Sequence, residues 1–373
     1  MIEEIATHRN STRSVMCGSV TIGGGAPVAV QSMTNTDTRD AGVTAEQIIR
    51  LASAGCDIVR CAIPDDAAAR AVPEIKSLLI TVGVSIPVVA DIHFDHRLAI
   101  SAIENGADKI RINPGNIGDK DDLKRVVDAA GKAAVPMRIG VNSGSVEKDL
   151  LDEYGPSADA LVKSALRNIK IIEDMDFNDL VVSVKTSSVK DTITAYRLLS
   201  EHTDHPLHLG VTEAGAGGSA VVKSAIGIGS LLADGIGDTI RVSLTGDPVN
   251  EITAARDILA GLGLLPGAID IISCPTCGRC HADLEKIVNE VYSAIKPIEA
   301  ARCDTAESTK RLKPISLAIM GCSVNGPGEA AHADMGVACG RDGAVWFEKG
   351  KTIRHITIPE IVPTIIDALN NCI

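Results

Sequence analysis

The most constraining feature of the sequence is a strand–helix alternation that repeats eight times between residue 28 and about residue 264. Each unit opens with a β-branched apolar run and continues with apolar residues spaced as on one face of a helix. The first unit pairs run 28–33 with a helical pattern over 44–55, and similar helical patterns cover 97–106, 122–133 and 191–202. The other strand-like runs begin near Asp57, Ile86, Asp108, Pro136, Leu180, Pro206 and Asp238. This count and length predict an α/β fold of the (β/α)8 TIM-barrel type.

The main competing architecture is a doubly wound open sheet, which in dinucleotide-binding proteins carries a glycine-rich turn after its first strand. No such fingerprint separates the first strand from its helix here. Aromatic residues make up only 2% of the chain, so the core must consist of Val, Ile, Leu and Ala, as is typical of parallel sheets. Residues 4–27 contain a short hairpin pattern that we expect to cover one end of the barrel.

The alternation stops near Pro266, and most of the cysteines follow it. The later segment contains one helical pattern at about 281–295. Its strand-like pieces are 315–320, 343–347 and 352–358. We therefore expect a barrel domain over residues 1–265 and a smaller α+β domain over residues 266–373.

Positive charge collects at or near the ends of the predicted barrel strands, where TIM-barrel enzymes place their active sites. Five strands carry a cation there, namely Arg60, Arg111, Arg138, Lys185 and Arg241. The whole chain has a net charge of −12, so this clustering is local. Because like charges repel, and because Arg and Lys match phosphate oxygens, the pattern predicts a pocket for a diphosphate or two phosphate groups. The alternative is pairing with carboxylates inside the barrel, namely Asp57, Asp91, Asp108 and Asp238.

Three side chains are candidates for proton transfer. Asp91 and His93 are two residues apart on a predicted strand and therefore face the same side. They are either an acid–base pair, or His93 is simply a hydrogen-bonded histidine at the rim of the barrel. Glu213 directly follows the seventh strand and precedes the glycine-rich run 214–218.

The cysteines of the second domain have the spacing of metal ligands. Cys274 and Cys277 form a CxxC turn that Cys280 extends, and Cys322 lies in a glycine-rich run that also holds Glu329. The spacing alone is compatible with a redox pair, an iron–sulfur cluster or a closed zinc site. A fourth zinc ligand would come from Cys303, Cys339 or His281.

The charge and hydropathy patterns exclude several function classes. A net charge of −12 disfavours binding to nucleic acids or anionic membranes. No apolar run reaches the ~18 residues that a membrane span requires. The N-terminus lacks the apolar core of a signal peptide, so we expect a cytoplasmic protein.

Nine motifs occur in a fixed order and carry a family resemblance. They are QSMTNTDTRD (31–40), VRCAIP (59–64), ADIHFD (90–95), KIRINPGNIG (109–118), RIGVNSGS (138–145), VTEAG (211–215), IRVSLTGDP (240–248), SCPTCGR (273–279) and GCSVNGPGEA (321–330). Together they resemble the bacterial 4-hydroxy-3-methylbut-2-enyl diphosphate synthases, oxidoreductases of the non-mevalonate isoprenoid pathway. The resemblance covers nearly the whole chain and implies the shorter, two-domain form.

The resemblance implies a barrel joined to a domain that binds a 4Fe-4S cluster. The implied substrate is 2-C-methyl-D-erythritol 2,4-cyclodiphosphate, and the implied reaction is a two-electron reduction that opens the ring and removes a hydroxyl as water. The electron donor would be a flavodoxin or ferredoxin. Members of the family form head-to-tail homodimers.

The resemblance also implies roles for individual residues. The cluster ligands would be Cys274, Cys277, Cys322 and Glu329. The diphosphate would be held by Arg60, Arg111, Arg138, Lys185 and Arg241. Further hydrogen bonds would come from Gln31, Asn113, Asn142, Thr212 and Ser243. Glu213 would donate the proton, with Asp91 and His93 in support, and Cys280 would be a spare thiol.

Two other function classes remain as alternatives. The first is a phosphate-binding barrel enzyme with a structural zinc module. The second is a non-enzymatic iron or redox sensor, which would have no need for a diphosphate pocket.

Overall fold

A computed structural model describes residues 9–308, 312–322, 328 and 330–372. The chain divides into two compact units, Met1–Leu262 and Gly263–Ile373. The boundary expected from the sequence lies at 265/266.

The first unit is a barrel of eight parallel strands. In chain order, after a hairpin of β1 (Ser14–Cys17) and β2 (Val20–Gly23), these strands are β3 (Ala29–Met33), β4 (Ile58–Ala62), β5 (Val88–Asp91), β6 (Lys109–Ile112), β7 (Met137–Asn142), β8 (Leu180–Lys185), β9 (His208–Leu209) and β10 (Thr239–Ile240). Neighbours in the chain pair in parallel, and β10 returns to β3. A single bridge between Val182 and Leu207 joins β8 to β9 and closes the ring. The predicted TIM barrel is confirmed.

Each barrel strand is followed by one helix, except β7, which is followed by two. The helices are α1 (Ala41–Ser53), α2 (Asp66–Thr81), α3 (His96–Glu104), α4 (Lys120–Ala133), α5 (Lys148–Tyr154), α6 (Ala158–Glu173), α7 (Val189–Ser200), α8 (Gly217–Ala233) and α9 (Val249–Gly261). The first four begin after an aspartate whose carboxylate accepts a free N–H of the first turn, namely Asp40, Asp65, Asp95 and Asp119. Such caps stabilise a helix start and set where each loop ends.

Alternate residues along each barrel strand face the barrel interior. We call these positions the inward parity. Ala29, Ile58, Val89 and Val181 come from four different strands and pack in one cluster with hairpin residues. The hairpin side chains in that cluster are Val15, Cys17 and Ile22. The hairpin therefore closes the amino end of the barrel, and residues two or four positions further along each strand point inward above it.

The described residues of the second unit include a five-stranded mixed sheet and two helices that pack on it. Its strands are β11 (Ile269–Ser273), β12 (Ile315–Met320), β13 (Met335–Gly340), β14 (Gly343–Glu348) and β15 (Lys351–Ile356), and they pair in this order. β12 pairs in parallel with β11 and with β13. β14 pairs antiparallel with β13 and with β15. Its helices are α10 (Leu284–Ser308) and α11 (Ile361–Asn370), whose apolar residues share one core with the sheet.

Four elements of this unit differ from the sequence expectation. β11, β13 and α11 were not predicted, and α10 begins three residues later and runs much further than the pattern 281–295 indicates. β13 reads Met-Gly-Val-Ala-Cys-Gly, which lacks the β-branched run that marks a strand. Among the described residues, no helix has the length and apolarity needed to cross a membrane.

Candidate active site

Five cationic side chains meet inside the barrel, above its apolar floor. Arg60 stands two residues beyond Ile58, and Lys185 stands four beyond Val181, so both share the inward parity. The register of β6 and β7 places Arg111 beside Arg138, although Arg138 is only the second residue of its strand. The expectation that Arg138 lies near the carboxyl end of its strand is therefore wrong. The stagger of the barrel brings it to the level of the other cations.

The carboxylates near these cations are too few to neutralise them. Asp91 lies 3.2 Å from Nη1 of Arg111 and 3.8 Å from Nε of Arg60. Glu251, reaching in from α9, lies 3.5 Å from Nη2 of Arg241 and also accepts from Ser32 Oγ at 2.9 Å. Within the described parts of the chain, Arg138 and Lys185 form no ion pair. The pocket therefore holds more positive than negative charge.

Burial and mutual repulsion act together on the cations. Burial, reinforced by Arg60 and Arg111, holds the pKa of Arg138 well below its usual value. Burial and the charge of Arg138 do the same to the pKa of Lys185. Burial alone would raise the pKa of the Asp91 carboxyl, but Arg60 and Arg111 outweigh it and keep that pKa below the usual range. An anion bound among these groups would relieve the repulsion.

Two of the expected cluster cysteines, Cys274 and Cys322, follow the carboxyl ends of neighbouring strands in the sheet of the second unit. β11 ends at Ser273 and is followed by Cys274, and β12 ends at Met320 and is followed by Gly321 and Cys322. Because β11 and β12 are parallel neighbours, with Ser273 opposite Ile319, their carboxyl ends bring the cysteines to the same edge. The Gly321 N–H donates to Sγ of Cys274 at 3.2 Å.

Comparison with known proteins finds a family match for each of the two units. The family model of the GcpE TIM-barrel domain matches residues 12–256, and that of the GcpE protein C-terminal domain matches residues 270–371. The chain belongs to the GcpE family. The resemblance expected from the motifs is confirmed.

Curated relatives of the family match along almost their whole length. The 4-hydroxy-3-methylbut-2-en-1-yl diphosphate synthase (flavodoxin) of Caldanaerobacter subterraneus subsp. tengcongensis is 52% identical over 93% of this chain and 93% of its own. The enzyme of that name from Clostridium acetobutylicum is 51% identical over 97% of this chain and 99% of its own. That of Geobacter sulfurreducens is 49% identical over 95% and 96%. The activity expected from the resemblance is the one for which these relatives are named.

The remaining residues expected from the family resemblance line the same end of the barrel. Gln31, Asn113 and Asp91 are buried, whereas His93 and Glu213 are exposed. Half-buried positions are held by Asn142, Thr212, Ser243, Lys185 and Arg241. Neither amide atom of Gln31 has a hydrogen-bond partner among the described residues.

Asp91 and His93 both contact the same guanidinium. Nη1 of Arg111 donates to Oδ1 of Asp91 at 3.2 Å and lies 3.0 Å from Nε2 of His93. The two residues therefore orient Arg111. Among the described contacts no hydrogen bond or ion pair joins Asp91 to His93, and their use as an acid–base pair stays a prediction.

Glu213 has an unusual backbone. Its φ is +55°, in the left-handed region that non-glycine residues enter at a cost of about 1 kcal/mol. The residue immediately follows Thr212 and faces solvent at the carboxyl end of β9. A glycine would suit this backbone better.

Five residues of the barrel interior were not expected from the sequence. Glu251 holds Arg241, Gly140 and Gly210 leave space beside cations, and Lys109 and His208 are fully buried with unpartnered nitrogens among the described residues. Four of the five share the inward parity of residues that were identified, so the two-residue period of a strand would have found them. Glu251 comes from a helix and leaves no such signal.

The three expected cluster thiols of this GcpE-family chain differ in exposure. Cys277 is exposed, and hydrogen bonds from the backbone and side chain of Arg279 lower its thiol pKa. Cys274 is half-buried and Cys322 is buried. Glu329 lies outside the described residues.

The described thiols are compatible with an iron–sulfur cluster. In the described ranges, no three Cys, His, Asp or Glu side chains converge closely enough to hold one metal ion. An iron–sulfur cluster binds each thiolate at a different iron, so its ligands need not converge on one point. Thiols at one sheet edge, with an N–H directed at one sulfur, fit that requirement.

Proposed function

We propose that the chain catalyses the reductive ring opening and dehydration of 2-C-methyl-D-erythritol 2,4-cyclodiphosphate to 4-hydroxy-3-methylbut-2-enyl diphosphate. Two electrons and two protons enter, one C–O bond to the diphosphate opens, and one hydroxyl leaves as water. The observation that carries the proposal is the surplus of positive charge inside the barrel, where the buried Arg138 and the half-buried Lys185 lack any described carboxylate partner. The substrate is the dianionic group that such a pocket would bind.

The cations bind the diphosphate and the uncharged polar groups fix its orientation. Arg60, Arg111, Arg138, Lys185 and Arg241 supply charge, and guanidinium groups add paired hydrogen bonds to phosphate oxygens. Gln31 contributes free amide atoms from the buried layer. The other hydrogen-bonding groups are Asn113, Asn142, Thr212 and Ser243.

Glu213 donates the proton that the departing hydroxyl requires. Its strained backbone and its place beside the pocket support this role. Asp91 and His93 act through Arg111, which both of them contact.

The second unit holds a 4Fe-4S cluster through Cys274, Cys277, Cys322 and Glu329. Such a cluster supplies electrons one at a time and, with one replaceable ligand, a Lewis acid. Cys280 stays a spare thiol, because its Sγ donates to the Ala282 carbonyl at 3.1 Å.

The electron donor is a flavodoxin, the protein that the relatives' names specify. A ferredoxin is the alternative donor that the family resemblance allows. The head-to-tail homodimer implied by the resemblance stays a prediction, and sedimentation of the purified protein tests it.

The deciding experiment is anaerobic purification followed by iron, sulfide and zinc analysis and an assay with the cyclic diphosphate and reduced flavodoxin. About four iron and four sulfide per chain, with turnover, are the expected result. Stoichiometric zinc without sulfide, persisting after attempted cluster reconstitution, would contradict the redox mechanism. A cluster without turnover would contradict the substrate assignment instead.

A further inference from the structure

The guanidinium of Arg111 lies against a stretch of bare backbone on the next strand. A methyl group at Gly140 would stand 2.8 Å from Nε, 2.9 Å from Nη2 and 3.3 Å from Cζ of Arg111. These are the three nearest atoms to that position, and all belong to the guanidinium group. Such distances are shorter than real carbon contacts, so any side chain at 140 would displace the guanidinium.

The backbone itself does not require glycine at this position. Gly140 lies in the middle of β7 and has no left-handed φ. Glycine in a strand interior weakens the strand, because it adds backbone entropy to the unfolded chain and packs no side chain. The space that it leaves for Arg111 is therefore the feature that explains it.

The opposite edge of the same guanidinium is held by polar groups. Nη1 of Arg111 donates to Asp91 at 3.2 Å and lies 3.0 Å from Nε2 of His93. Asp91 and His93 thus fix one edge, and the absent side chain at 140 lets the other edge lie flat against β7. Removing that space would push Arg111 away from β7 while its anchors hold Nη1.

A second cation of the pocket uses the same arrangement. A methyl group at Gly210 would stand 2.7 Å from Nζ of Lys185. It would also stand 2.7 Å from the backbone oxygen of Arg241, which cannot move without shifting the chain. Gly140 is therefore the cleaner place to test the arrangement, because only a side chain has to yield there.

We propose that Gly140 is a positioning residue that sets where the Arg111 guanidinium stands in the anion pocket. The proposal rests on the proposed function, because it assigns Arg111 to the diphosphate. It makes the size of residue 140 a determinant of how tightly this barrel binds a diphosphate.

The test is the affinity of the Gly140→Ala variant for inorganic diphosphate, measured by titration calorimetry beside the wild type. We expect the Kd to rise about tenfold or more, the effect of losing one charge-assisted contact. The control is Gly131→Ala on α4, where the added methyl would only touch Phe177 at 3.9 Å and the Kd should stay unchanged.

A double-mutant cycle separates this role from a general structural one. In an Arg111→Gln background, Gly140→Ala should change the Kd by less than about twofold, because the group it displaces is gone. An equal loss of affinity in both backgrounds would overturn the proposal. If Gly140→Ala alone does not fold, the double variant should recover a cooperative thermal transition, and failure to do so would also overturn it.

The outcomes distinguish this inference from the proposed function. A wild-type protein that does not bind diphosphate contradicts the anion pocket itself, and this inference with it. A wild type that binds, beside a Gly140→Ala variant that binds equally well, contradicts the role of Gly140 alone.

Discussion

The two ends of the barrel differ in how their charged side chains are paired. At the amino end, three aspartates just before a strand accept the N–H of a residue on the neighbouring chain segment: Asp57 from Val30 at 2.6 Å, Asp108 from Val88 at 2.8 Å and Asp238 from Leu207 at 3.0 Å. Two of these carboxylates also pair with a cation, Asp108 with Lys76 and Asp238 with Arg9. At the carboxyl end, the cations outnumber the carboxylates.

This contrast separates charges that maintain the fold from charges that serve a ligand. A buried charge with a complete set of partners stabilises the folded chain, whereas a buried charge without them costs stability until a ligand arrives. The alternative pairing for the pocket cations is accordingly wrong for Asp57, Asp108 and Asp238, which are engaged at the other end. Only Asp91, of the four aspartates considered, reaches the pocket cations. Substitutions at the two ends should therefore affect stability and activity in opposite directions.

The largest effect is expected at the carboxyl end, from Lys185→Met. Turnover should fall on the order of 10²–10³-fold, because a charge that meets the diphosphate is lost. The melting temperature should rise, because a half-buried cation without a described partner is removed. Enzyme assay and calorimetry on the same samples measure both. The exposed Lys190→Met is the control and should leave both unchanged; a fall in melting temperature for Lys185→Met would show that Lys185 supports the fold.

At the amino end the reverse result is expected, from Asp238→Ala. The change leaves Arg9 and the Leu207 N–H without this carboxylate and should lower the free energy of unfolding by about 3–5 kcal/mol. The KM should stay within about twofold of the wild type, since no pocket residue loses a contact. Urea denaturation and steady-state kinetics provide the two readouts. Asp204→Ala, which breaks an exposed pair with Arg13, should cost less than about 1 kcal/mol.

The pH dependence of diphosphate binding is expected to be a smaller effect than those of the two substitutions above. Burial, reinforced by Arg138 and Arg241, lowers the pKa of Lys185 in the empty pocket, and a bound anion raises it. Protons are therefore taken up on binding wherever the pH lies between the two values, and affinity falls as pH rises through that window. The loss reaches at most about tenfold per pH unit for one group.

Calorimetric titrations in buffers of different ionisation enthalpy measure this proton uptake directly. The diphosphate also titrates, so the quantity of interest is the difference between wild type and Lys185→Met. Equal uptake by both proteins would assign the protons to the ligand and contradict the role of Lys185.

Much of the barrel and its pocket was predictable from local pattern. The strands follow from β-branched runs, and the two-residue period places Arg60, Arg111 and Lys185 on the inside. The level of Arg138 was not predictable, because it depends on the stagger between β6 and β7. Glu251 was hidden for a related reason, since its carboxylate reaches Arg241 only through the packing of α9 against the barrel.

The site in the second unit was also only partly predictable from the sequence. The CxxC spacing marks Cys274 and Cys277, but the proximity of Cys322 follows from the parallel pairing of β11 with β12, and β11 was not predicted. Gly140 illustrates the same limit inside the barrel. Its parity is readable, whereas its function depends on where the side chain of Arg111 turns.

The smallest expected effect tests where the two ends of the barrel meet. Lys109 is fully buried at the first position of β6, two residues below Arg111, and its Nζ has no hydrogen-bond partner among the described residues. Lys109→Met keeps the length of the side chain and removes the unpaired charge, so the free energy of unfolding should rise by about 1 kcal/mol. Lys109→Gln, which keeps a polar group there, should give no such gain.

The affinity for diphosphate decides to which end Lys109 belongs. If the ligand site stops at the level of Arg111 and Arg138, Lys109→Met should bind diphosphate within about twofold of the wild type, because no direct contact with the ligand is lost. A tenfold weaker Kd would instead extend the ligand-facing charge down to the floor formed by the hairpin. In that case the unpaired, ligand-facing charges extend one layer deeper, as far as the apolar floor that contains Cys17 and Ile58.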